Sequence, residues 1–294
     1  MAFFVRFWGT RGSIPTPGYA TRRYGGNTSC VEMRVDDTRF ICDGGTGLRE
    51  LGLQLLQSEA RPADVHMLFS HMHWDHIQGF PFFLPAYETD MSLHVYEVAA
   101  GEDRIRRLLH GQMRSEYFPV TFSDLGARIV SGDLGDGETS VEGVKIRCFE
   151  QNHPGRSFAY SFEKDGKRVV YATDNEVDLT LENREQSMEK FSALRKIPPA
   201  LVAFARGADL LIADGQYTDE EYAAKVGWGH ARANTVVDLA VQAEVKQCAI
   251  FHHDPMHSDD DIDRIVEQAR ERAASFGSNA TLFGAREGLE LKIE

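Results

Sequence analysis

Nowhere in the 294 residues does an apolar run reach the roughly 18 needed to span a bilayer. The opening Met1-Ala2-Phe3-Phe4-Val5-Arg6 has no basic region followed by a long apolar stretch, so a soluble cytoplasmic protein with no membrane partner is expected. Cysteine is scarce: Cys30, Cys42, Cys148 and Cys248 are scattered through apolar, strand-like runs with no C-x-x-C pair. That excludes a disulfide framework and a cysteine metal site, and leaves buried reduced thiols. There is also no Pro/Ser/Gly-rich linker, low-complexity tract or charge block. With 42% hydrophobic residues, the chain reads as one domain over residues 1–294, built from two strand-rich halves that meet near residue 150. Positive charge is short as well. The formal net charge is −13, whereas a protein that grips a long polyanion usually neutralises its phosphates with Lys and Arg. The one modest cluster, Arg104-Ile105-Arg106-Arg107 with Arg114, reads as a solvated helix face, so no stable nucleic-acid partner is expected.

What the chain does have is histidine in one place. Ser70-His71-Met72-His73-Trp74-Asp75-His76 puts three imidazoles and a carboxylate within six residues, behind the apolar run Val65-His66-Met67-Leu68-Phe69. The run reads as a short buried strand, which sets the cluster on the loop at its C-terminal end, where binding residues concentrate. A tight irregular loop points neighbouring side chains in different directions. His71 and His73 can therefore reach one cation while Asp75 and His76 turn toward a second.

The surrounding pattern is mixed α/β. Val31, Met33 and Val35 alternate with Glu32 and Arg34, and Val144, Ile146 and Cys148 alternate with Lys145 and Arg147, as half-buried antiparallel strands do. Phe158–Phe162 and Arg168–Ala172 flank Lys164-Asp165-Gly166-Lys167, a hairpin signal. Helical spacing appears in Leu48, Leu51 and Leu55, in Val236, Leu239, Ala240 and Ala243, and in Ile262, Ile265, Val266 and Ala269. The last set follows a Ser258 cap, with Asp259, Asp260 and Asp261 placed to complement the helix dipole.

The H-x-H-x-D-H run, with Phe7-Trp8-Gly9-Thr10-Arg11-Gly12-Ser13-Ile14-Pro15, Tyr24-Gly25-Gly26-Asn27-Thr28-Ser29-Cys30 and Asp43-Gly44-Gly45-Thr46-Gly47, resembles the phosphodiesterase branch of the metallo-β-lactamase fold superfamily. That branch includes ribonuclease Z and the phosphoribosyl cyclic phosphodiesterase group. The resemblance implies a four-layer αββα sandwich. It also implies further ligands at strand ends: His153 as third imidazole on the first metal, Asp174 bridging both, and His252 completing the second. His253 stands in reserve for His252, and His257 is a candidate substrate contact or helix-entry residue. The expected sets are His71, His73, His153 and Asp174 on one ion, and Asp75, His76, His252 and Asp174 on the other. A nitrogen-rich shell without thiolate favours Zn²⁺, with Mn²⁺ or Fe²⁺ as alternatives.

Gly227-Trp228-Gly229-His230-Ala231-Arg232, read as opening a helix, and Ala213-Asp214-Gly215 upstream resemble the histidine motif of ribonuclease Z and its acidic partner. His230 would then protonate the leaving oxygen and Asp214 fix its tautomer, while Asp75 both ligates and orients the nucleophile. The small hydroxyl residues usual after this histidine are replaced by Ala231 and Arg232. Phe80–Tyr87 and His110–Pro119 are aromatic-rich segments that suit a nucleobase or sugar, or else core or dimer-interface packing. The reading that follows is a dinuclear phosphodiesterase, expected as a homodimer, acting on a small cyclic phosphodiester such as a cyclic nucleotide. A ribonuclease Z-like tRNA 3′ endonuclease is the rival enzyme, and a non-catalytic metal-binding ligand sensor the rival from another class.

Overall fold

The computed structural model describes residues 2–58, 61–98, 104–135, 137–189 and 192–294. The first six strands, β1 (Phe3–Gly9), β2 (Cys30–Val35), β3 (Thr38–Cys42), β4 (Asp64–Leu68), β5 (Ser92–Glu97) and β6 (Arg128–Asp133), lie side by side in that order. The next seven, β7 (Glu138–Val141), β8 (Val144–Gln151), β9 (Ser157–Lys164), β10 (Lys167–Ala172), β11 (Leu210–Asp214), β12 (Gln247–Phe251) and β13 (Thr281–Gly284), form a second sheet, and β14 (Glu290–Lys292) returns to the first beside β1. Each sheet begins with antiparallel pairs, β1 to β3 and β7 to β10, and continues in parallel.

Three apolar clusters define four layers. The central one joins inward residues of both sheets, among them Val5, Met33 and Phe40 with Ile146, Phe162 and Ile212. A second packs the helix Gly47–Gln57 and the segment around Phe80 and Phe83 onto the first sheet. A third packs the helices Pro199–Ala205, Ala233–Gln242 and Asp259–Ser275 onto the second. This is the αββα sandwich. The parallel strand β11 is buried at every position because helices cover its outer face, whereas β8 still alternates. No helix among the described residues is long and apolar enough to cross a membrane. None of the four cysteines is in a disulfide.

Local sequence signals explain the joints. The β9–β10 hairpin pairs Lys164 with Lys167 across Asp165 and Gly166, whose φ values of 48° and 77° are those a two-residue turn between right-twisted strands requires. Ser258 caps the helix Asp259–Ser275, its hydroxyl taking the Asp261 amide while the Asp261 carboxylate takes the Ser258 amide at 2.8 Å. The β2 strand differs from the half-exposed expectation. Glu32 is buried there because it accepts Trp8 Nε1–H at 3.1 Å and pairs with Arg39. The aromatic segment divides: Phe80 and Phe83 are core, while Phe82 and Tyr117 are exposed.

Candidate metal centre

Six chain turns meet along one edge of the sandwich, after the ends of β3, β4, β8, β10, β11 and β12. Three of the turns use a left-handed residue at the strand end: Asp43 (φ 63°), Asp174 (φ 55°) and His252 (φ 60°). Asp174 lies at the centre. Its Oδ2 faces His71 Nε2 at 3.7 Å and His153 Nε2 at 3.9 Å, and its Oδ1 faces His76 Nε2 and His252 Nε2, each at 3.3 Å. His73 Nδ1 stands 3.1 Å from His153 Nε2, and Asp75 Oδ2 stands 3.1 Å from His252 Nε2 and 3.3 Å from His76 Nε2. The ligand-capable atoms of His71, His73 and His153 thus gather on one side of Asp174, and those of Asp75, His76 and His252 on the other.

The imidazoles are aimed from behind. Nδ1–H of His76 donates to Asp43 at 2.8 Å, that of His71 to Ser70 Oγ at 3.1 Å, that of His153 to the Gly229 carbonyl at 2.9 Å, and that of His252 to Gln216 Oε1 at 3.2 Å. With Nδ1 engaged, each Nε2 lone pair points into the cleft, the outer-shell arrangement that fixes metal-ligand tautomers. The buried Nε2 atoms of His71 and His76 have no hydrogen-bond partner. Orphaned buried nitrogens beside carboxylates, without thiolate, fit a divalent cation.

The electrostatics agree. Burial pushes His71 well below its usual range, with His76 beside it adding to the effect. Burial also opposes charge on His76, but Asp174, Asp75 and Asp43 overcome it and raise that imidazole. Asp174 is depressed well below the ordinary carboxylate range despite its burial, because His252, His76 and His71 surround it. Such a cluster of carboxylates and imidazoles holds a proton where a cation would otherwise sit.

His253, the reserve, faces away: its Nε2–H donates to the Ala285 carbonyl at 2.8 Å. His257 donates to Glu221 at 2.8 Å and is likewise outside the cleft. His230 sits beside the cluster, its Nδ1–H donating to Asp214 at 2.8 Å and its ring stacked on His252 at 4.9 Å. The helix expected to open at this motif begins later, at Ala233, because Arg232 is held extended and bridged to Tyr217. Arg232 is fully buried, with Nε–H on Asp178 at 2.7 Å. Its guanidinium serves the interior and not a phosphate.

Four contributors escaped the sequence reading as site residues. Asp43 takes the Ser70 amide and hydroxyl, His76 Nδ1 and Tyr171 OH on one fully buried carboxylate. Ser13 donates its amide to Asp75 at 2.7 Å, and Gln216 backs His252. Glu176, two residues past Asp174 and buried, accepts Tyr222 OH and the Gly227 amide at 2.7 Å and the Gly229 amide at 2.8 Å. A strand-end carboxylate after Asp174 was the only available hint.

A family model described as Beta-lactamase superfamily domain matches residues 38–253. The ribonuclease Z of Haloarcula marismortui is 23% identical over 327 aligned positions, covering 100% of this chain and 98% of that protein. Among solved structures, the metallo-beta-lactamase fold protein YhfI of Bacillus subtilis superposes with a TM-score of 0.68 at 16% identity, covering 99% of each chain. Human tRNase Z, short form, does so with 0.65 at 17% identity, again over 99% of each. The expectation of no nucleic-acid partner is thereby overturned, since proteins named ribonuclease Z match the chain end to end. Net charge misled because it averages over the whole molecule, whereas binding of a phosphate depends on the local field, to which bound cations contribute most. With the model match spanning most of its length, the chain belongs to the metallo-β-lactamase superfamily, in its phosphodiesterase and ribonuclease Z-like group of metal-dependent hydrolases.

Proposed function

We propose that this chain hydrolyses a phosphodiester bond of RNA, using two divalent ions, zinc foremost, held by His71, His73, His153 and Asp174 and by Asp75, His76, His252 and Asp174. The observation that carries the reading is the position of Asp174, with one oxygen turned to each group of imidazoles and the His230–Asp214 pair alongside. Divalent ions there would supply Lewis acidity toward a phosphoryl oxygen and acidify a water.

The chain's own groups do the rest. Asp75, pinned by the Ser13 amide, orients the attacking water. His230 keeps Nδ1 on Asp214, which leaves Nε2 to give a proton to the departing oxygen. Burial disfavours the His230 charge, but Asp214, Asp174 and Asp75 outweigh it and hold the group up at about 9 before any cation binds. That holds for the cation-free protein; with cations on Asp174 and Asp75, the Asp214 hydrogen bond is what continues to favour a protonated His230.

The length-wide match to proteins named ribonuclease Z favours RNA over a small cyclic phosphodiester. The net charge of −13 is the observation on the side of the small substrate. Metal-loaded protein assayed in parallel on a 3′-extended precursor tRNA and on cyclic mononucleotides decides between them. Higher kcat/KM on the RNA is expected, and a clear preference for a cyclic mononucleotide would replace the RNA reading with the other.

A further inference from the structure

Of the three tryptophans, Trp8 is buried, whereas Trp74 and Trp228 are 64% and 56% exposed. Both exposed ones sit in the loops that build the site. Trp74 lies between His73 and Asp75, and Trp228 two residues before His230. Their neighbours grip the same imidazole from its two nitrogens: His73 Nδ1 faces His153 Nε2 at 3.1 Å, and the Gly229 carbonyl accepts His153 Nδ1–H at 2.9 Å. Trp228 is also tied to the site by contact: Lys225 Nζ lies 4.0 Å over its indole and 5.6 Å over the Tyr217 ring, and Tyr217 meets the His230 ring edge-on at 6.0 Å.

A single exposed apolar side chain is ordinary. An exposed one on an over-determined backbone is not. The amides on both sides of Trp228, those of Gly227 and Gly229, are fixed to the buried Glu176 carboxylate, and the Trp228 amide donates to the Lys225 carbonyl at 3.1 Å. Both flanking glycines are left-handed, at φ 86° and 92°, and a Cβ on Gly229 would overlap the His153 ring, so the loop has one shape. The Lys225 ammonium lies 4.0 Å over one indole face, leaving the opposite face for a planar ligand.

We infer that Trp228 forms a stacking subsite for a nucleobase attached to the scissile phosphodiester, with Lys225 placed to meet an adjacent phosphate. The inference rests on the phosphodiesterase reading above and adds to it the residues that would hold a base. Every base has a π-face, so such a wall would tolerate sequence while rejecting a bare sugar phosphate.

The test compares Trp228→Ala and Trp228→Phe with wild-type on a ribodinucleotide, on a cyclic mononucleotide, and on the same dinucleotide linkage with one ribose abasic. Melting temperature and metal content serve as checks on folding. Trp228→Ala should lower kcat/KM on a base-bearing substrate about tenfold more than on the abasic one, with Trp228→Phe recovering most of the difference. The arm that shows the selective loss tells whether the base belongs to a strand or to a cyclic nucleotide. Nucleoside monophosphate should also quench indole fluorescence in wild-type protein, and less in Trp228→Phe. Equal losses on base-bearing and abasic substrates, or no quenching, overturn the subsite while leaving the phosphodiesterase reading intact. Wild-type protein inert toward all three phosphodiesters removes that reading, and the subsite with it.

Discussion

The Gly229 amide donates to the buried carboxylate of Glu176 at 2.8 Å, while the carbonyl of the same glycine holds His153 Nδ1–H at 2.9 Å. One glycine, through its two adjoining peptides, thus couples a carboxylate outside the cluster to an imidazole inside it. Glu176→Gln keeps the shape but turns an NH₂ group toward one of three donors. An unsatisfied buried donor costs about 1–3 kcal/mol, and the Gly229 backbone that aims His153 loses its anchor. The variant should stay folded yet lose metal to a competing chelator sooner than wild-type, with kcat lowered. Tyr222→Phe, which spares both glycine amides, should be mild. Wild-type chelator resistance in Glu176→Gln would reduce Glu176 to a packing residue.

His230→Ala should lower kcat by roughly 10²- to 10⁴-fold with metal content intact, the usual range for a lost acid–base group. Asp214→Asn should show a related defect, because the carboxylate fixes the tautomer. A nitrophenolate leaving group needs little protonation, so His230→Ala should regain much of its rate there. Similar losses on activated and unactivated substrates would argue for phosphate binding instead of proton transfer.

Asp174→Asn should reduce metal content from about two ions per chain and abolish activity, since both ligand groups depend on that carboxylate. Elemental analysis after gel filtration reads this directly. An active wild-type protein carrying a single ion would end the dinuclear assignment.

Glu221 offers a pH signature away from the ligands. Its hydrogen bond from His257, against a partial burial that works the other way, brings its pKa from 4.5 down to about 2, with the Thr218 amide assisting. A depressed carboxylate stabilises the fold above its unfolded pKa and loses that contribution as pH falls through the folded one. The Tm gap between wild-type and Glu221→Gln should therefore be full at pH 5 and shrink toward pH 2. The group is 40% exposed, so the gap should also narrow in high salt. A pH-independent gap would mean that the His257 bond contributes no linkage.

What was legible in the sequence was contiguous or periodic. His71 to His76 lie on one loop, the Asp165-Gly166 turn carries its own conformational signature, and Ser258 announces its helix three residues ahead of Asp261. His153, Asp174, His252 and His230 came from resemblance, and the structure brings all four to one cleft. Asp43, Glu176 and Gln216 were not legible, because each acts on a side chain or peptide 33 to 53 positions away and spacing cannot encode that. The role of Arg232 was not legible for a related reason. Its partner Asp178 is 54 residues upstream, and only the fold reveals that the guanidinium points inward.

The left-handed strand ends at Asp43, Asp174 and His252 limit how this centre could be altered. Asp and Asn tolerate that backbone through local side-chain hydrogen bonds and Gly has no Cβ to clash, but most other residues lose about 1–2 kcal/mol there. A lineage or an engineer seeking a softer metal by placing Cys at 174 or 252 would meet a conformational toll before any coordination chemistry began. Retuning is cheaper at His73 and His153, where the backbone imposes no such condition.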